Sequence, residues 1–534
     1  MAFIIGIIVS FCVYVSIGIY LFRKVENSEE YYVSGRSGNT LMITGTLVAS
    51  FLSTVSFMGE AGFSYDGYPI LLLILVIFNA SGYILGVFLF GRYLRRSKSL
   101  TVPEYFGNRF HSKKVRLAAA ITTILGIAAY LVAVTQGAAV LLAEVSGVSY
   151  SMALLIMWLV YSSFTILSGA KGVMVNDTIM FFLFSIATYL SFPYIIHSAG
   201  GFPDAITKAA NLAARPDLLS WHGITGPGAT MGTPWEALAW AVIMGLVWGA
   251  VIAVSPWQSS RYLMAKNEHV AIRSGIWATI SIITVYLFLH ISISTIPTIK
   301  ADIAPSEKVF IWAAMNIVPT WLGVIIVSGI MAAALSSCSS FLQLIGSAIT
   351  RDIMEQSRNK QYTDQQLLRA SRISMLLISL IIFFIGLLQP PAVMWIGYFA
   401  ATLFAASWGP IAFASVFSKK VTKVGAFWSI VAGFLGVIIG ESLGKLGVVL
   451  PVYFNPVIIG LLLSVSALII GSRFGVITRE EREFHARILQ QPIETDEAKE
   501  MSITRRYPVY LMVSGVMIII TTLIFYYWPT TLAL

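Results

Sequence analysis

The sequence predicts an all-α integral membrane protein with about fourteen transmembrane helices in a single polytopic domain, residues 1–534. Of its 534 residues, 57% are apolar and only 11% are charged, and the mean hydropathy is +0.81. This is too little charge to cover a soluble protein of that size, so lipid must be the solvent. Apolar stretches of about 18 residues or more recur along the chain, and a helix needs ~20 such residues to cross the hydrocarbon core.

Fourteen apolar segments meet this length requirement. Their centres lie near residues 12, 52, 80, 130, 159, 185, 246, 283, 333, 379, 404, 432, 463 and 517. The longest polar stretches, 199–235 and 473–506, are too short to bury a core of their own. The first segment, Ala2–Phe22, has no basic region before it and no small-residue cleavage site after it. We therefore expect a retained helix and not a signal peptide.

Positive charge determines the predicted orientation of these helices. The segment between the third and fourth helices carries eight basic residues against the single acidic residue Glu104. The basic residues are Arg92, Arg95, Arg96, Lys98, Arg109, Lys113, Lys114 and Arg116. The positive-inside rule places this segment in the cytoplasm, and alternation from there leaves both termini outside. Topology accounts for the net charge of +10, so we expect a multi-pass cell-membrane protein that contacts the lipid bilayer and no nucleic acid.

Two helices contain residues that interrupt a membrane helix. The second helix, over residues 47–62, is rich in hydroxyl side chains and then glycines, and the seventh contains Gly245, Gly249 and a proline. Non-helical backbone is tolerated in a membrane only where it is buried or lines a cavity. The two helices are five apart, which predicts inverted repeats over residues 40–198 and 236–418 with a binding site at the breaks. The alternative is that the small residues only allow close helix packing.

The ninth helix carries a set of candidate cation ligands. At about 100° per residue, Ala333, Ser336 and Ser337 lie on one face of this helix. Sodium is a hard cation that accepts carbonyl and hydroxyl oxygens as ligands. The two hydroxyls, the Ala333 carbonyl, and the carbonyls of Ala49 and Leu52 on the broken second helix would supply them. A serine run of this kind also occurs for helix packing or for bonding to the preceding turn.

Four short motifs resemble those of the sodium/solute symporters, the family of bacterial proline and pantothenate permeases and of the sodium/glucose cotransporters. They are Ser34-Gly35-Arg36-Ser37, Val175-Asn176-Asp177-Thr178, the run from Ser255 to Tyr262, and Ala348-Ile349-Thr350-Arg351-Asp352. The resemblance implies a LeuT-type core of two five-helix inverted repeats, with one extra helix at 2–22 and three peripheral helices within 424–527. It also implies a sodium site between the first and eighth core helices. The five ligand positions are those named above, Ala49, Leu52, Ala333, Ser336 and Ser337.

The resemblance extends to the substrate site. Tyr130 and Trp248 match an aromatic pair that flanks the substrate in proline permeases, and Ser53 matches a position on the broken first core helix. With Ser56 on the same helix, these residues are the predicted substrate-binding set. The alternative for the two aromatic residues is an interfacial or helix-packing role.

Three charged residues are candidates for gating or coupling. Arg36 belongs to the first motif, and ionisable residues inside a membrane are functional candidates by default. We expect Asp177, near the cytoplasmic start of the sixth helix, to be a gate or a helix cap, with a solvated N-cap as the alternative. Glu60, just past the break in the second helix, could be a gate, a proton site or an outward-facing solvated carboxylate.

Together these features predict sodium-coupled symport of a small organic solute by alternating access, by a monomeric functional unit. Phe51 stands where several relatives of the family have an acidic or amide side chain, and Val55 and Ile252 differ from proline permeases, which argues against strict proline specificity. A carboxylate-bearing solute such as an amino acid, a short organic acid or pantothenate fits better, with its carboxylate held by backbone N–H groups of a half-helix.

The alternatives are a proton-coupled carrier of the same fold and a sodium/sugar symporter. The stretch that begins at Val254 lacks the pattern of sugar-carrying relatives, so sugars rank lower. We expect no enzyme, because the six histidines are scattered and show no catalytic or metal-ligand spacing. No cofactor is expected besides Na⁺ as the coupling ion.

Overall fold

The computed structural model describes residues 1–23, 25, 27–357, 362–389, 393–448, 450–491 and 497–532. Within these residues the elements are all helical, with only two isolated β-bridges. Thirteen of the helices are long and apolar enough to cross a membrane, and a bent pair adds a fourteenth when it is counted as one span. The predicted fold class and number of helices are confirmed.

We number the fourteen spans α1 to α14 in chain order. They are Ala2–Phe22, Thr40–Phe51 with Val55–Tyr65, Pro69–Ser97, Lys113–Ser146, Tyr150–Leu167, Gly169–Ser198, Pro234–Met264, Glu268–Thr298, Thr320–Met354, Asp364–Gly386, Met394–Phe417, Lys423–Gly444, Pro456–Phe474 and Ala498–Thr531. Shorter helices lie between them at Ser28–Val33, Val102–Arg109, Asp204–Ala210, Val309–Asn316 and Arg479–Leu489.

Side-chain caps define where many spans begin. Asn39 accepts a hydrogen bond from the Met42 amide at the start of α2, and Thr233 does the same for Glu236 at the start of α7. Such caps satisfy amides that have no partner within the helix. α4 ends at Ser146, and Gly147 after it adopts a left-handed conformation with φ of 73°, as residues at helix C-termini commonly do.

The break in α2 separates two halves that are bent by 57°. Leu52 leaves the helical conformation, with φ of −70° and ψ of 125°, and its amide makes the last bond of the first half, to the Val48 carbonyl. The Ser53 hydroxyl then accepts from the Val55 amide, and the Ser53 carbonyl accepts from the next two amides. The second half of α2 is therefore capped by Ser53. The last carbonyls of the first half have no amide partner within the helix.

The break in α7 is not at its glycines. The helix ends at Val254 and resumes at Pro256, with Ser255 extended at ψ of 148°. Gly245 and Gly249 are helical and face α3, where a Cβ on Gly249 would lie 3.1 Å from the Phe78 carbonyl oxygen. The predicted interruption of α7 is therefore present, at the proline and not at the glycines, which serve the packing role that was the alternative.

Burial separates a central group of helices from a peripheral one. In the most apolar window of α9, 89% of residues are buried, compared with 17% for α1, 28% for α13 and none for α14. The first half of α2 packs against α6, α8 and α9. The broken helix and the serine-rich helix therefore meet at the centre of the protein. The repeat bounds stay a prediction, and here α2 to α6 occupy 40–198 and α7 to α11 occupy 234–417.

Candidate functional site

The predicted cation ligands lie at the contact between α2 and α9. Ala49, Leu52, Ala333, Ser336 and Ser337 are all fully buried. The Ser337 hydroxyl has no hydrogen-bond partner among the described residues. Buried polar atoms in proteins are nearly always paired, so this oxygen is available to a ligand.

Asp177 connects three helices beside these serines. Its carboxylate accepts hydrogen bonds from Ser336 on α9, at 2.6 Å, and from Thr46 on α2, at 2.5 Å. The residue is fully buried, eight positions after Gly169 at the start of α6. The solvated N-cap alternative is therefore wrong, and the carboxylate lies in direct contact with a predicted sodium ligand.

Arg261 is the cation nearest to this carboxylate within the described residues. Its Nη2 atom is 3.8 Å from Asp177 Oδ2, and it also donates to the Ser340 hydroxyl. Both charged side chains are fully buried, so each is the main compensation for the other. Sequence reasoning missed Thr46, Arg261 and Ser340 as site residues. Ser340 lies one turn after Ser336, and Arg261 lies in a recognised motif, so both carried a signal.

Glu60 lies inside the protein, in the second half of α2. The residue is 5% exposed, and its two carboxylate oxygens each accept a hydrogen bond of 2.6 Å, one from Tyr286 on α8 and one from Tyr398 on α11. The alternative of an outward-facing solvated carboxylate is wrong. Neither tyrosine was among the predicted site residues, because nothing in the sequence pairs these positions with Glu60.

The two predicted substrate aromatics pack against different rings. Trp248 packs edge-on against Phe51 and Tyr398, at ring distances of 5.8 and 5.2 Å, and its Nε1 atom has no partner among the described residues. It is 3% exposed, so an interfacial position is excluded. Tyr130 instead packs against Trp257 and Phe341, at 5.6 and 4.8 Å.

The two predicted substrate serines make different kinds of contact, one within α2 and one to α8. The hydroxyl of Ser53 caps the second half of α2, as described above, and that of Ser56 lies 2.8 Å from the Tyr286 hydroxyl. The Ser53 cap occupies amides that were expected to hold a substrate carboxylate. Ser56, in contrast, belongs to the polar cluster around Glu60.

Arg36 lies outside this central region, in the segment before α2. Its guanidinium donates to the carbonyls of Leu263 on α7 and of Lys98 and Ser99 after α3, at 3.2, 2.7 and 3.2 Å, and pairs with Glu29 at 2.7 Å. Arg36 therefore connects the start of α2 to the C-terminal ends of α3 and α7.

A second charged cluster lies at the end of α9 and was also missed. Asp352 is buried and accepts from Arg116 on α4 and from Thr101, both at 2.8 Å. Tyr32, before α2, is 3.1 Å from the Thr350 hydroxyl. These contacts hold the basic side of the core together, the side that the charge distribution assigns to the cytoplasm.

Comparisons with known proteins agree with this architecture. The sequence model of the Sodium:solute symporter family matches residues 31–433. The chain is 25% identical over 459 residues to the sodium/proline symporter of Escherichia coli, covering 82% of this chain and 88% of that protein. It is 24% identical over 471 residues to the sodium/pantothenate symporter of the same organism, covering 86% and 94%.

A solved structure with the same fold is a substrate-bound, outward-open state of a Na⁺-coupled sialic acid symporter. It superposes with a TM-score of 0.76 at 17% identity and covers 90% of this chain and 99% of that one. The predicted LeuT-type architecture is confirmed. The family and the structural neighbour are transporters and not enzymes, as the sequence predicted. The chain therefore belongs to the Sodium:solute symporter family, whose members couple the movement of a small solute to sodium.

Proposed function

We propose that this protein moves a small organic solute across the cell membrane with one sodium ion, which binds at the contact between α2 and α9. The sodium ligands are the carbonyls of Ala49, Leu52 and Ala333 and the hydroxyls of Ser336 and Ser337. The observation that carries the proposal is the buried hydroxyl of Ser337, which has no partner in the described part of the chain and lies beside the Ser336–Asp177 pair.

The hydrogen bond from Ser336 to Asp177 suits this role. A hydroxyl has one proton and two lone pairs, so Ser336 can donate to the carboxylate and still offer oxygen electrons to a cation. The donation also fixes the orientation of the ligand, as hydrogen bonds to ligating side chains do at metal sites. Asp177 adds negative charge close to the ion, which makes it the coupling residue in this proposal.

Sodium then links two helices that must move apart for transport. A cation bound to both α2 and α9 stabilises the state in which they are together and the solute site is ordered. Sodium and solute therefore increase each other's affinity, and the coupling free energy is reciprocal. One charge crossing ~100 mV contributes about 2.3 kcal/mol. A tenfold sodium gradient adds about 1.4 kcal/mol, so one ion per solute supports accumulation of roughly several hundredfold.

The solute site of this proposal is the region around the break in α2, with Ser53, Ser56, Tyr130 and Trp248 as binding residues. The cargo is a small carboxylate-bearing solute such as an amino acid, a short organic acid or pantothenate. Proline and pantothenate are the solutes in the names of two relatives. Arg36, Glu60 and Asp177 are the proposed gating and coupling residues, both termini lie outside, and a single chain is the functional unit.

A sodium titration of protein stability tests the ion site. Purified protein is melted in increasing NaCl at constant ionic strength, with KCl as the replacement salt. We expect sodium to raise the melting temperature of the wild type and to have a much weaker effect on Ser336→Ala and Ser337→Ala. Ser163→Ala is the matched control, because Ser163 is exposed on α5 and its hydroxyl donates to the Val160 carbonyl of its own helix. An equal sodium response in all four proteins refutes the site.

Proton coupling is the second candidate, and the buried carboxylate of Glu60 favours it, since such a group can carry a proton. Proteoliposomes separate the two candidates. Uptake of proline or pantothenate that follows a sodium gradient at equal pH supports the sodium proposal. Uptake that follows a pH gradient without sodium, and that Glu60→Gln abolishes, supports the second candidate.

A further inference from the structure

Four aromatic rings and one carboxylate form a closed circuit around the break in α2. The ring contacts run from Tyr286 to Phe51 at 6.4 Å, from Phe51 to Trp248 at 5.8 Å, and from Trp248 to Tyr398 at 5.2 Å. Both tyrosines then donate to Glu60, one to each oxygen. The circuit thus draws on α2 on both sides of its break, on α7, α8 and α11.

The charge of Glu60 is not balanced inside this circuit. None of the ion pairs among the described residues includes Glu60, although the side chain is 5% exposed. Two neutral hydroxyl donors satisfy hydrogen bonds, but they bring no positive charge. A buried carboxylate without a cation is costly in a membrane protein, which points to a positive charge that arrives from outside the chain.

We propose that the solute carries an ammonium group, which Glu60 binds within the cage of Phe51, Trp248, Tyr286 and Tyr398. This inference rests on the proposed function and names the chemical class of its cargo. Aromatic faces attract organic cations, most strongly where water is excluded, so the cage and the carboxylate favour the same group. A proline-like or betaine-like solute fits this site, whereas pantothenate has no ammonium group and does not.

Trp248 supplies the other end of the recognition. Its buried indole N–H has no partner among the described residues, so it can donate to an oxygen of the solute. The backbone amides at the start of the second half of α2 are less suited, because Ser53 already occupies three of them. A zwitterion would therefore place its ammonium group at Glu60 and its carboxylate at Trp248.

Matched pairs of probes test the inference on the wild-type protein. Each pair has the same carbon skeleton with and without the ammonium group, as in L-proline and cyclopentanecarboxylate, or L-alanine and propionate. Glycine betaine tests a quaternary ammonium group, and pantothenate a carboxylate alone. Binding is followed by melting temperature and by tryptophan fluorescence in saturating NaCl. We expect the ammonium-bearing probes to bind, and the matched acids to bind at least about 10-fold more weakly, the range of a hydrogen bond to a charged group.

Glu60→Gln then tests whether the carboxylate is responsible. The amide keeps the size of the side chain and removes its charge. We expect the dissociation constants of ammonium-bearing probes to rise by about 10- to 100-fold, while the shift of melting temperature with NaCl alone is retained. Glu236→Gln is the matched control, since Glu236 is at the start of α7 and its carboxylate accepts from the Gly232 amide near the surface.

Several results would overturn the inference. Equal binding of ammonium probes and matched acids shows that the solute is of another class, and so does the lack of a response to any ammonium probe. Both results are obtained with the wild-type protein alone. If Glu60 binds a proton, Glu60→Gln makes transport independent of pH and leaves the probe preference unchanged. The titratable groups that surround Glu60, and that could share its proton, are Tyr130, Tyr286, His290 and Tyr398. If Glu60 binds sodium, Glu60→Gln removes the NaCl response with the preference unchanged.

The outcomes also separate this inference from the proposed function. If the sodium proposal fails, NaCl changes neither the melting temperature nor the binding of any probe. If only the ammonium inference fails, the NaCl response persists and the paired probes bind equally.

Discussion

Neutralising Asp177 should weaken sodium binding more than any change to a single hydroxyl. In the substitution Asp177→Asn the shape of the side chain is kept and its charge is lost. The carboxylate is 2.6 Å from Ser336 Oγ, and a bound sodium ion lies ~2.4 Å from a ligand oxygen, as for other hard cations. The ion is therefore between about 4 and 5 Å from the charge. At an effective dielectric constant of ~20, the attraction is about 3.3 to 4.2 kcal/mol.

This attraction corresponds to a loss of sodium affinity of roughly 200- to 1,000-fold, since each 1.4 kcal/mol is a factor of about ten. The assay is a sodium titration of melting temperature, or direct binding of radioactive sodium. Thr46→Ala is the matched control, because it removes one hydrogen-bond donor to Asp177 and leaves the charge in place. A dissociation constant for Asp177→Asn within about threefold of the wild type would refute the electrostatic argument.

Asp177→Asn also leaves the buried guanidinium of Arg261 without its charge partner, at a cost of about 3 to 5 kcal/mol in stability. The double substitution Asp177→Asn with Arg261→Gln separates this effect from sodium binding. We expect it to recover part of the lost melting temperature and none of the sodium affinity. Recovery of both would mean that Asp177 acts only through Arg261.

Two further predictions concern the scaffold. Gly82→Ala places a Cβ 2.3 Å from the Gly249 carbonyl oxygen, so we expect the free energy of unfolding to fall by about 1 to 3 kcal/mol and the melting temperature to drop. Gly515→Ala is the control, because the space around Gly515 is open, and it should be neutral or slightly stabilising. Equal effects of the two substitutions would contradict the packing argument. Burial, with Arg109 and Lys419 nearby, lowers the pKa of His485, whose Nε2 is 2.7 Å from the Val416 carbonyl oxygen. Because the pKa in the folded protein is below the ordinary value of 6.5, folding favours the neutral imidazole. The contribution of His485 to the free energy of unfolding is therefore fully present above pH ~6.5 and is lost as the pH falls toward the lowered pKa. Hydrogen exchange of residues 479–489, corrected for intrinsic rates, should rise from pH 7.5 to about 5.5, and less so in His485→Gln.

The helices and the coupling serines could be predicted from local sequence. A membrane span requires a continuous apolar run, so all fourteen segments were visible without any tertiary information. Ser336 and Ser337 were visible because a hydroxyl cluster in an apolar helix needs an explanation. The break in α2 was predicted as well, from a run of small and hydroxylated residues. In α7 an interruption was expected too, and it lies at Ser255 and Pro256; the two glycines serve helix packing, a use that favours the same small residue.

The partners of the charged side chains could not be predicted in this way. Glu60 and Tyr398 are 338 positions apart, and Asp177 and Ser336 are 159 apart. Tyrosines are common in membrane helices, and nothing local distinguishes Tyr286 or Tyr398 from the others. Whether Glu60 faces water or a ring of aromatic side chains depends on how four helices pack, and no single helix carries that information.

The sequence by itself determined the membrane, the number of spans, the family and the helix that carries the candidate ion site, because each depends on hydropathy or on short motifs. Only the tertiary structure decided that Asp177 contacts Ser336, that Glu60 is buried with no ion-pair partner among the described residues, and that Trp248 packs against the ring of Tyr398. The physical reason is that hydropathy is a property of each segment, whereas the cost of a buried charge depends on what surrounds it.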